Sequence, residues 1–184
     1  MRELDQDFSV SFGNHPSMMP GEQLLWRGKP QRKAFVVSNW LKMLPVAVIW
    51  LAVDFQLIAE MIEEGSLFLV AFTMVHLFPV WIWLFSGLTA VKRWKNTDYF
   101  LTTKRIVIRS GVWSVNENSI FLRNVTNVSI RRGLLNHPFG TGSVLFNEGY
   151  TDYNRNGKKA PAFEHLENPD TVYSRTQQAI EMQL

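Results

Sequence analysis

The chain has 184 residues, of which 46% are apolar and 19% are charged, and its formal net charge is +3. Its mean hydropathy of −0.06 is typical of an ordinary water-soluble protein. The length predicts one domain, or one domain with an appendage. Because the sequence has no cysteine, disulfide scaffolds, thiolate zinc sites, iron–sulfur clusters and cysteine nucleophiles are excluded.

The first half of the chain contains two long apolar runs that the mean hydropathy does not show. They extend from Trp40 to Ile62 and from Ser66 to Val91, and both approach or exceed the roughly 20 residues that cross about 30 Å of hydrocarbon. The first run contains Asp54, which costs about 2.5 to 3.5 kcal/mol near a bilayer centre. A hairpin in a soluble core is the alternative, but a buried helix rarely stays apolar on every face for this length. We therefore predict a transmembrane hairpin over residues 40–91.

Charged residues beside the two runs predict how the hairpin is oriented. By the positive-inside rule, basic flanks stay in the cytoplasm, so both termini are expected there and the acidic turn outside. Residues 1–39 are then a cytoplasmic tail with a short element before the membrane. The flanks carry Arg27, Lys29, Arg32, Lys33 and Lys42 before the hairpin and Lys92, Arg93 and Lys95 after it, and the connection carries Glu60, Glu63 and Glu64.

Two polar residues within the spans form a candidate intramembrane pair. If the hairpin turns near Glu64, antiparallel helices bring Asp54 within one turn of His76. The functional interpretation is a proton or ion path, because ionisable groups in a bilayer are functional candidates. The structural interpretation, which we favour because two helices enclose no pore, is a clamp between helices worth about 1 kcal/mol. Pro79 is expected to kink the second helix.

After Lys95 the pattern changes to short alternating segments rich in Val, Ile, Phe and Thr, which predict β-strands. Turn signals such as Ser110-Gly111 and Gly140-Thr141-Gly142 separate these segments. Seven strands are predicted: Tyr99–Thr102, Arg105–Arg109, Val112–Val115, Ser119–Leu122, Val125–Arg131, Gly142–Asn147 and Ala160–His165.

One amphipathic helix is predicted to close the domain. Asn168 is a good N-cap, Pro169 suits the first helical position and Asp170 complements the helix dipole. The predicted fold is a membrane α-helical hairpin plus an all-β domain of seven strands with a C-terminal capping helix, over residues 92–184. The apolar face of that helix consists of Val172, Thr176, Ala179 and Ile180.

Seven short antiparallel strands followed by one helix is the element order of the pleckstrin-homology superfold. Tyr99 to Gly111 (YFLTTKRIVIRSG) resembles the first hairpin of the bacterial pleckstrin-homology, or membrane-flanked, domain family. Ile120 to Val128 and Gly133 to Val144 are similar to the next two blocks of that family. Phe163 to Pro169 resembles its last strand entering the helix, and Pro20 to Trp26 (PGEQLLW) is similar to the element before its paired spans.

The resemblance covers residues 20–180. It implies a bacterial origin and a cytoplasmic domain that is held at the inner membrane. It implies no activity, because a fold alone does not supply one.

The sequence contains no constellation typical of an enzyme. The four histidines, His15, His76, His137 and His165, are far apart and lack metal-binding spacing. Gly140-Thr141-Gly142 lacks the Gly-Lys-Ser or Gly-Lys-Thr ending of a phosphate loop, and no Gly-x-Ser-x-Gly elbow is present. We therefore predict a non-enzymatic protein that uses no cofactor and no metal.

Basic residues of the C-terminal half are candidates for contacts with the membrane surface. Residues 92–184 carry 13 basic and 8 acidic residues, a net charge of +5. Beside an anionic leaflet each basic group can contribute about 1 kcal/mol; the alternative is a surface that only aids solubility. The candidates are Lys92, Arg93, Lys95, Lys104, Arg105, Arg131 and Arg132.

The predicted function is that of a membrane-anchored binding or scaffold protein with its pleckstrin-homology-like domain at the cytoplasmic face. Expected partners are membrane lipids and either a protein partner or a second copy of the chain, with Phe139, Tyr150 and Tyr153 as loop contacts. Nucleic acid is not expected, because no aromatic-basic motif of an RNA-binding sheet is present. The alternative is an oligomeric channel or transport accessory that uses Asp54 and His76.

Overall fold

The structure, a computed structural model, describes residues 16–133, 136–148 and 160–183. Tyr150 and Tyr153, two of the predicted loop contacts, lie outside these ranges, as does His15. The strands are β1 (Leu24–Gly28), β2 (Asp98–Thr102), β3 (Arg105–Ser110), β4 (Asn116–Phe121), β5 (Val125–Arg131), β6 (Gly142–Glu148) and β7 (Ala162–Leu166). The helices are α1 (Arg32–Leu41), α2 (Leu44–Val53), α3 (Phe55–Glu64), α4 (Leu67–His76), α5 (Phe78–Lys95) and α6 (Pro169–Glu181).

Helices α1 to α5 form a hairpin with two arms. The first arm consists of α1, α2 and α3, and the second consists of α4 and α5. The chain reverses at Gly65, whose φ of 61° lies in the left-handed region that favours glycine. In the returning arm α4 packs against α3, and α5 packs against α1 and α2.

Both arms are interrupted midway along the hairpin. The first arm breaks at Asp54, which lies between α2 and α3 with non-helical backbone angles. The second arm is bent by 55° between α4 and α5, and Pro79 stands in the first turn of α5. Proline has no N–H to continue the preceding helix, and its ring clashes with the turn before it. The kink predicted from Pro79 is therefore confirmed.

One continuous helical stretch, Arg32–Val53, is long and apolar enough to cross a membrane. The bent pair of α4 and α5 passes the same test only when both helices are counted together. Among the described residues there is thus one such helix, or two if the bent pair is one span. The first long helix ends at Val53 rather than near Ile62 because of the break at Asp54, and the crossing of a membrane by both arms stays a prediction.

The strands form two antiparallel sheets. The first has the order β1-β2-β3-β4 and the second has the order β5-β6-β7. Alternation along the strands places one set of side chains between the sheets, where α6 covers them. Full burial of each large apolar side chain contributes about 1.5 to 3 kcal/mol. The fully buried large members are Leu101, Ile106, Leu122, Val144, Phe146 and Phe163.

Six of the predicted strands are present, Val125–Arg131 with the predicted bounds and the other five with shifted ends. The count of seven strands after Lys95 is not confirmed. Residues 112–115 form a bend and not a strand. A Cβ atom added at Gly111 would lie 1.7 Å from the carbonyl oxygen of Ser114, so the chain folds back on itself too tightly there to pair as a strand. The additional strand of the first sheet is β1, which precedes the helices and pairs with β2.

Helix α6 closes the domain as its periodicity predicts. Val172, Thr176 and Ala179 are buried, and Ile180 packs against the core at its edge. Pro169 is in the first turn, as expected, but the side chain of Asn168 makes no capping hydrogen bond. The side-chain cap predicted from Asn168 is therefore absent, and burial of one face holds the helix in place.

Candidate functional site

The hairpin is joined to the β domain through α1 and β7. Ala34, Phe35 and Ser38 on one face of α1 are buried. The backbone N–H of Gln31 donates to the carbonyl of His165 over 2.8 Å. The hydroxyl of Ser38 lies 2.9 Å from Nε2 of the same histidine. This joint fixes the base of the hairpin against the second sheet.

His165 is the central residue of the joint. Its φ of 55° is in the left-handed region, which is rare for residues other than glycine. The ring is buried, packs edge-on against Phe35 with centroids 6.0 Å apart, and leaves Nδ1 without a partner among the described residues. Burial lowers the pKa of His165, and Lys42 lowers it further against the opposing effect of Glu164. The ring is therefore held neutral at physiological pH.

An open cleft of about 740 Å³ lies beside this joint, between the base of the hairpin and the β domain. Its apolar walls come from Phe35 on α1 and from Ile108 and Ile120 on the first sheet. Two cations and one carboxylate also line it: Lys42, Arg93 and Glu164. This combination suits a ligand that has an apolar part and an anionic or zwitterionic head, and we name it the joint cleft.

Three of the predicted basic candidates lie at the base of the hairpin. Lys92, Arg93 and Lys95 belong to the last turn of α5 and are exposed. Trp94, between them, donates its indole N–H to the carbonyl of Pro30 over 2.7 Å. The chain enters β2 directly after this turn, so the cluster stands where the hairpin meets the first sheet.

The candidates Lys104 and Arg105 lie at the other end of the first sheet, because β2 carries the chain about 16 Å away from α5 before the turn. Arg105 is buried, and its Nε donates to Glu22 over 3.0 Å. Burial alone would raise the pKa of Glu22, but hydrogen bonds from Arg105, the Met19 N–H and Thr102 outweigh it and keep this pKa below its ordinary value. Arg105 therefore holds the N-terminal segment to the sheet, and its side chain is buried against Glu22.

The remaining basic candidates lie at the end of β5 and directly after it. Arg132 pairs with Asp170 in the first turn of α6, with Nη2 and Oδ2 2.6 Å apart and both side chains exposed. Arg131 is exposed as well. Phe139, a predicted loop contact, is half-buried in a short 3-10 turn. The seven basic candidates thus do not form one continuous surface.

The structure brings Asp54 and His76 together at the interruption of the two arms. Oδ2 of Asp54 lies 2.9 Å from Nδ1 of His76. Asp54 is 0% exposed, and its Oδ1 atom has no partner among the described residues. The indole of Trp50 donates to the backbone carbonyl of His76 over 2.9 Å. The register expected from a turn near Glu64 thus matches the structure, whereas the role of the pair stays a prediction.

The described residues contain no group of three or more His, Asp or Glu side chains that could hold a metal ion. No pattern in the sequence indicates the joint cleft or the role of His165, because their residues come from distant parts of the chain. Glu22 likewise meets Arg105 only in the folded protein, and no local pattern marks the pair.

Comparison with known protein families gives one match. A family model described as a bacterial PH domain covers residues 46–179, from the middle of the first arm to the last helix. No curated protein and no solved structure matches the chain. The match spans more than half of the sequence and includes both sheets after β1, so the chain belongs to the bacterial PH domain family.

Proposed function

We propose that the protein is a membrane-anchored binding or scaffold protein whose helical hairpin is inserted in the bilayer and whose PH-like domain binds partners at the cytoplasmic face. The observation that supports anchoring in the membrane is a band of exposed apolar side chains along the hairpin. Such a band is unfavourable in water but matches lipid tails. It comprises Val46, Val48, Ile49, Leu51, Val53, Phe55, Ile62, Leu67, Phe68, Phe72, Met74, Val75, Phe78, Trp81, Ile82, Leu84, Phe85 and Leu88.

The low burial of the first long helix supports this proposal against a soluble core hairpin. Only 11% of the most apolar stretch of Arg32–Val53 is buried, whereas a core helix of a soluble protein is mostly buried. From Leu44 to Glu64 the first arm is about 31 Å long, close to the hydrocarbon thickness. The apolar band lies between Lys42 and Lys92. We therefore assign residues 44–88 to the membrane and leave α1 at its surface.

The charge distribution supports a cytoplasmic base and an external tip. Basic residues flank the apolar band at the base, and Glu60, Glu63 and Glu64 stand at the tip. The positive-inside rule then gives a multi-pass protein of the inner membrane with both termini in the cytoplasm.

The joint cleft supports the binding role. It opens at the base of the hairpin, where a ligand can reach both the lipid headgroups and the cytoplasm. Lys42 and Arg93 attract an anionic group, while the apolar wall accepts an aliphatic or aromatic one. A protein partner, a second copy of the chain and an anionic lipid all carry such groups.

Photo-crosslinking in cells tests the binding role. Because the chain has no cysteine, a single Asn118→Cys substitution places a photoreactive maleimide at the exposed edge of the joint cleft. Asn124→Cys, exposed at the opposite end of the first sheet, is the matched control. We expect a defined adduct with a protein, a second copy or a lipid from position 118 and none from 124. Identical adducts from both positions, or none from either, would refute the proposal.

A channel or transport role is a second candidate, favoured by the Asp54–His76 pair. Asp54 would lie about 15 Å from the start of the hydrocarbon at Leu44, near the bilayer midplane. A buried carboxylate whose Oδ1 has no partner among the described residues is costly at that depth, and ionisable groups inside a bilayer are functional candidates for this reason. Two arms enclose no pore, so this function needs an oligomer.

Replacing Asp54 separates the second candidate from a purely structural clamp. If the pair carries ions, Asp54→Asn abolishes proton or cation flux in proteoliposomes while the amount of folded protein is unchanged. Thr73→Val, a buried polar position on α4, is the control for a change in packing. Equal flux in the wild type and in the Asp54→Asn variant would eliminate this function.

A further inference from the structure

The bend between β3 and β4, residues 111–115, exposes apolar side chains outside both sheets. Trp113 is 87% exposed and Val115 is 52% exposed. Neither belongs to the core of the domain. Single exposed apolar residues are ordinary, but two on one bend that adjoins a larger apolar surface indicate a contact surface. We name this bend the Trp113 loop.

The Trp113 loop lies at the base of the hairpin. Strand β2 leaves α5 and β3 returns antiparallel to it, with Asp98 opposite Arg109, so the loop after β3 comes back to the end of α5. The side-chain amide of Asn96 donates to the carbonyl of Gly111 over 3.3 Å. Nζ of Lys92 lies 3.6 Å from the centroid of the Trp113 ring. The loop is thus attached to the last turns of the helix.

The same loop extends a stripe of exposed apolar side chains on one face of α5. Phe78, Ile82, Phe85 and Leu88 are exposed at the spacing of one helical face. Lys92 is the next position on this face, about 6 Å beyond Leu88. The headgroup layer of one leaflet is about 5 to 7 Å thick, so Trp113 stands at headgroup depth if the stripe faces lipid.

We propose that the Trp113 loop is a membrane-interface contact that docks the β domain onto the anionic cytoplasmic leaflet. Trp113 places its ring among the glycerol and headgroup atoms, where tryptophan is enriched. Lys92 lies over the ring, and Lys92 and Lys95, both in the last turn of α5, attract anionic headgroups. The Trp113 loop therefore fixes the orientation of the joint cleft relative to the membrane. This inference rests on the proposed insertion of the hairpin.

Depth-dependent quenching in vesicles tests the docking. Single-cysteine variants of the full chain carry an environment-sensitive fluorophore in vesicles of phosphatidylglycerol and phosphatidylcholine that contain lipids with a nitroxide near the headgroup. Val115→Cys reports on the loop with Trp113 in place. Phe85→Cys reports on the hairpin, and Asn124→Cys, at the far end of the first sheet, is the aqueous control.

We expect the label at 115 to be quenched about threefold more strongly than the label at 124, because an interfacial residue lies within reach of the nitroxide. Adding Trp113→Ala should reduce the quenching at 115 without changing it at 85. Quenching at 85 with equal, weak quenching at 115 and 124 would overturn the docking and leave the hairpin inserted. Absence of quenching at 85 would overturn both proposals.

Discussion

At the scale of single residues, His165 shows how the hairpin and the β domain are held together. A buried ring, a left-handed backbone and a hydrogen bond to Ser38 meet at one position. Protonation would place a charge in an apolar joint whose other ring nitrogen has no partner among the described residues. The joint is therefore expected to depend on pH.

His165 predicts a loss of stability in mild acid. Its pKa in the folded protein is below the ordinary value of 6.5, so at lower pH the unfolded chain binds a proton that the folded chain does not. Stability is then complete above about pH 6.5 and falls as the pH drops below it. Thermal unfolding of the detergent-solubilised protein between pH 5 and pH 8 measures this.

The matched variant for this prediction is His165→Asn, because asparagine tolerates a left-handed backbone and does not titrate in this range. We expect it to lower the melting temperature at pH 8 and to flatten the dependence on pH between 5 and 7. His15, His76 and His137 remain in both proteins and cancel in the comparison. An unchanged slope in the variant would show that another group is responsible.

Some residue contacts can be predicted from the sequence and others cannot, for a physical reason. Asp54 and His76 are close because a short turn fixes the register of two antiparallel helices, and that register can be counted along the chain. Ser38 and His165 are 127 positions apart, and no periodicity relates them. A basic residue in a turn usually lies at the surface, and this is the expectation for Arg105, but its partner Glu22 comes from a segment before the hairpin.

At the scale of elements, strands and helices followed their hydrophobic patterns, and the exceptions have local causes. Strand β1 pairs with a partner more than 70 positions away, so five residues before a hairpin could not be assigned to the sheet. Residues 112–115 have strand composition, but Gly111 allows a fold-back that a strand cannot make. The result is the Trp113 loop in place of a seventh strand after Lys95.

Replacement of Gly111 is expected to lower the stability of the folded protein. In Gly111→Ala the new Cβ would meet the Ser114 carbonyl oxygen, so the loop must open at a cost of about 1 to 3 kcal/mol. Gly133→Ala, where a Cβ would meet no atom of the described residues within 4 Å, is the control. We expect only the first variant to lower the melting temperature, and equal melting temperatures would show that the fold-back is not required.

At the scale of the whole molecule, a hairpin that is apolar on its outside is joined to a domain that is apolar on its inside. The mean hydropathy of −0.06 averages these two opposite surfaces. The order of blocks along the chain predicted the family, and the family match confirms it. The contact of α1 with β7 and the joint cleft beside it cannot be predicted from the sequence, because they form only through tertiary packing.

The accessibility of the two ends of the molecule in intact cells tests whether the hairpin spans the membrane. The cysteine-free chain allows Glu64→Cys at the tip of the hairpin and Glu181→Cys on α6, both at exposed positions, to react with a membrane-impermeant maleimide. We expect labelling at 64 from outside and labelling at 181 only after the membrane is permeabilised. Labelling at 181 from outside, or at 64 only after permeabilisation, would contradict a hairpin that spans the membrane and presents its domain to the cytoplasm.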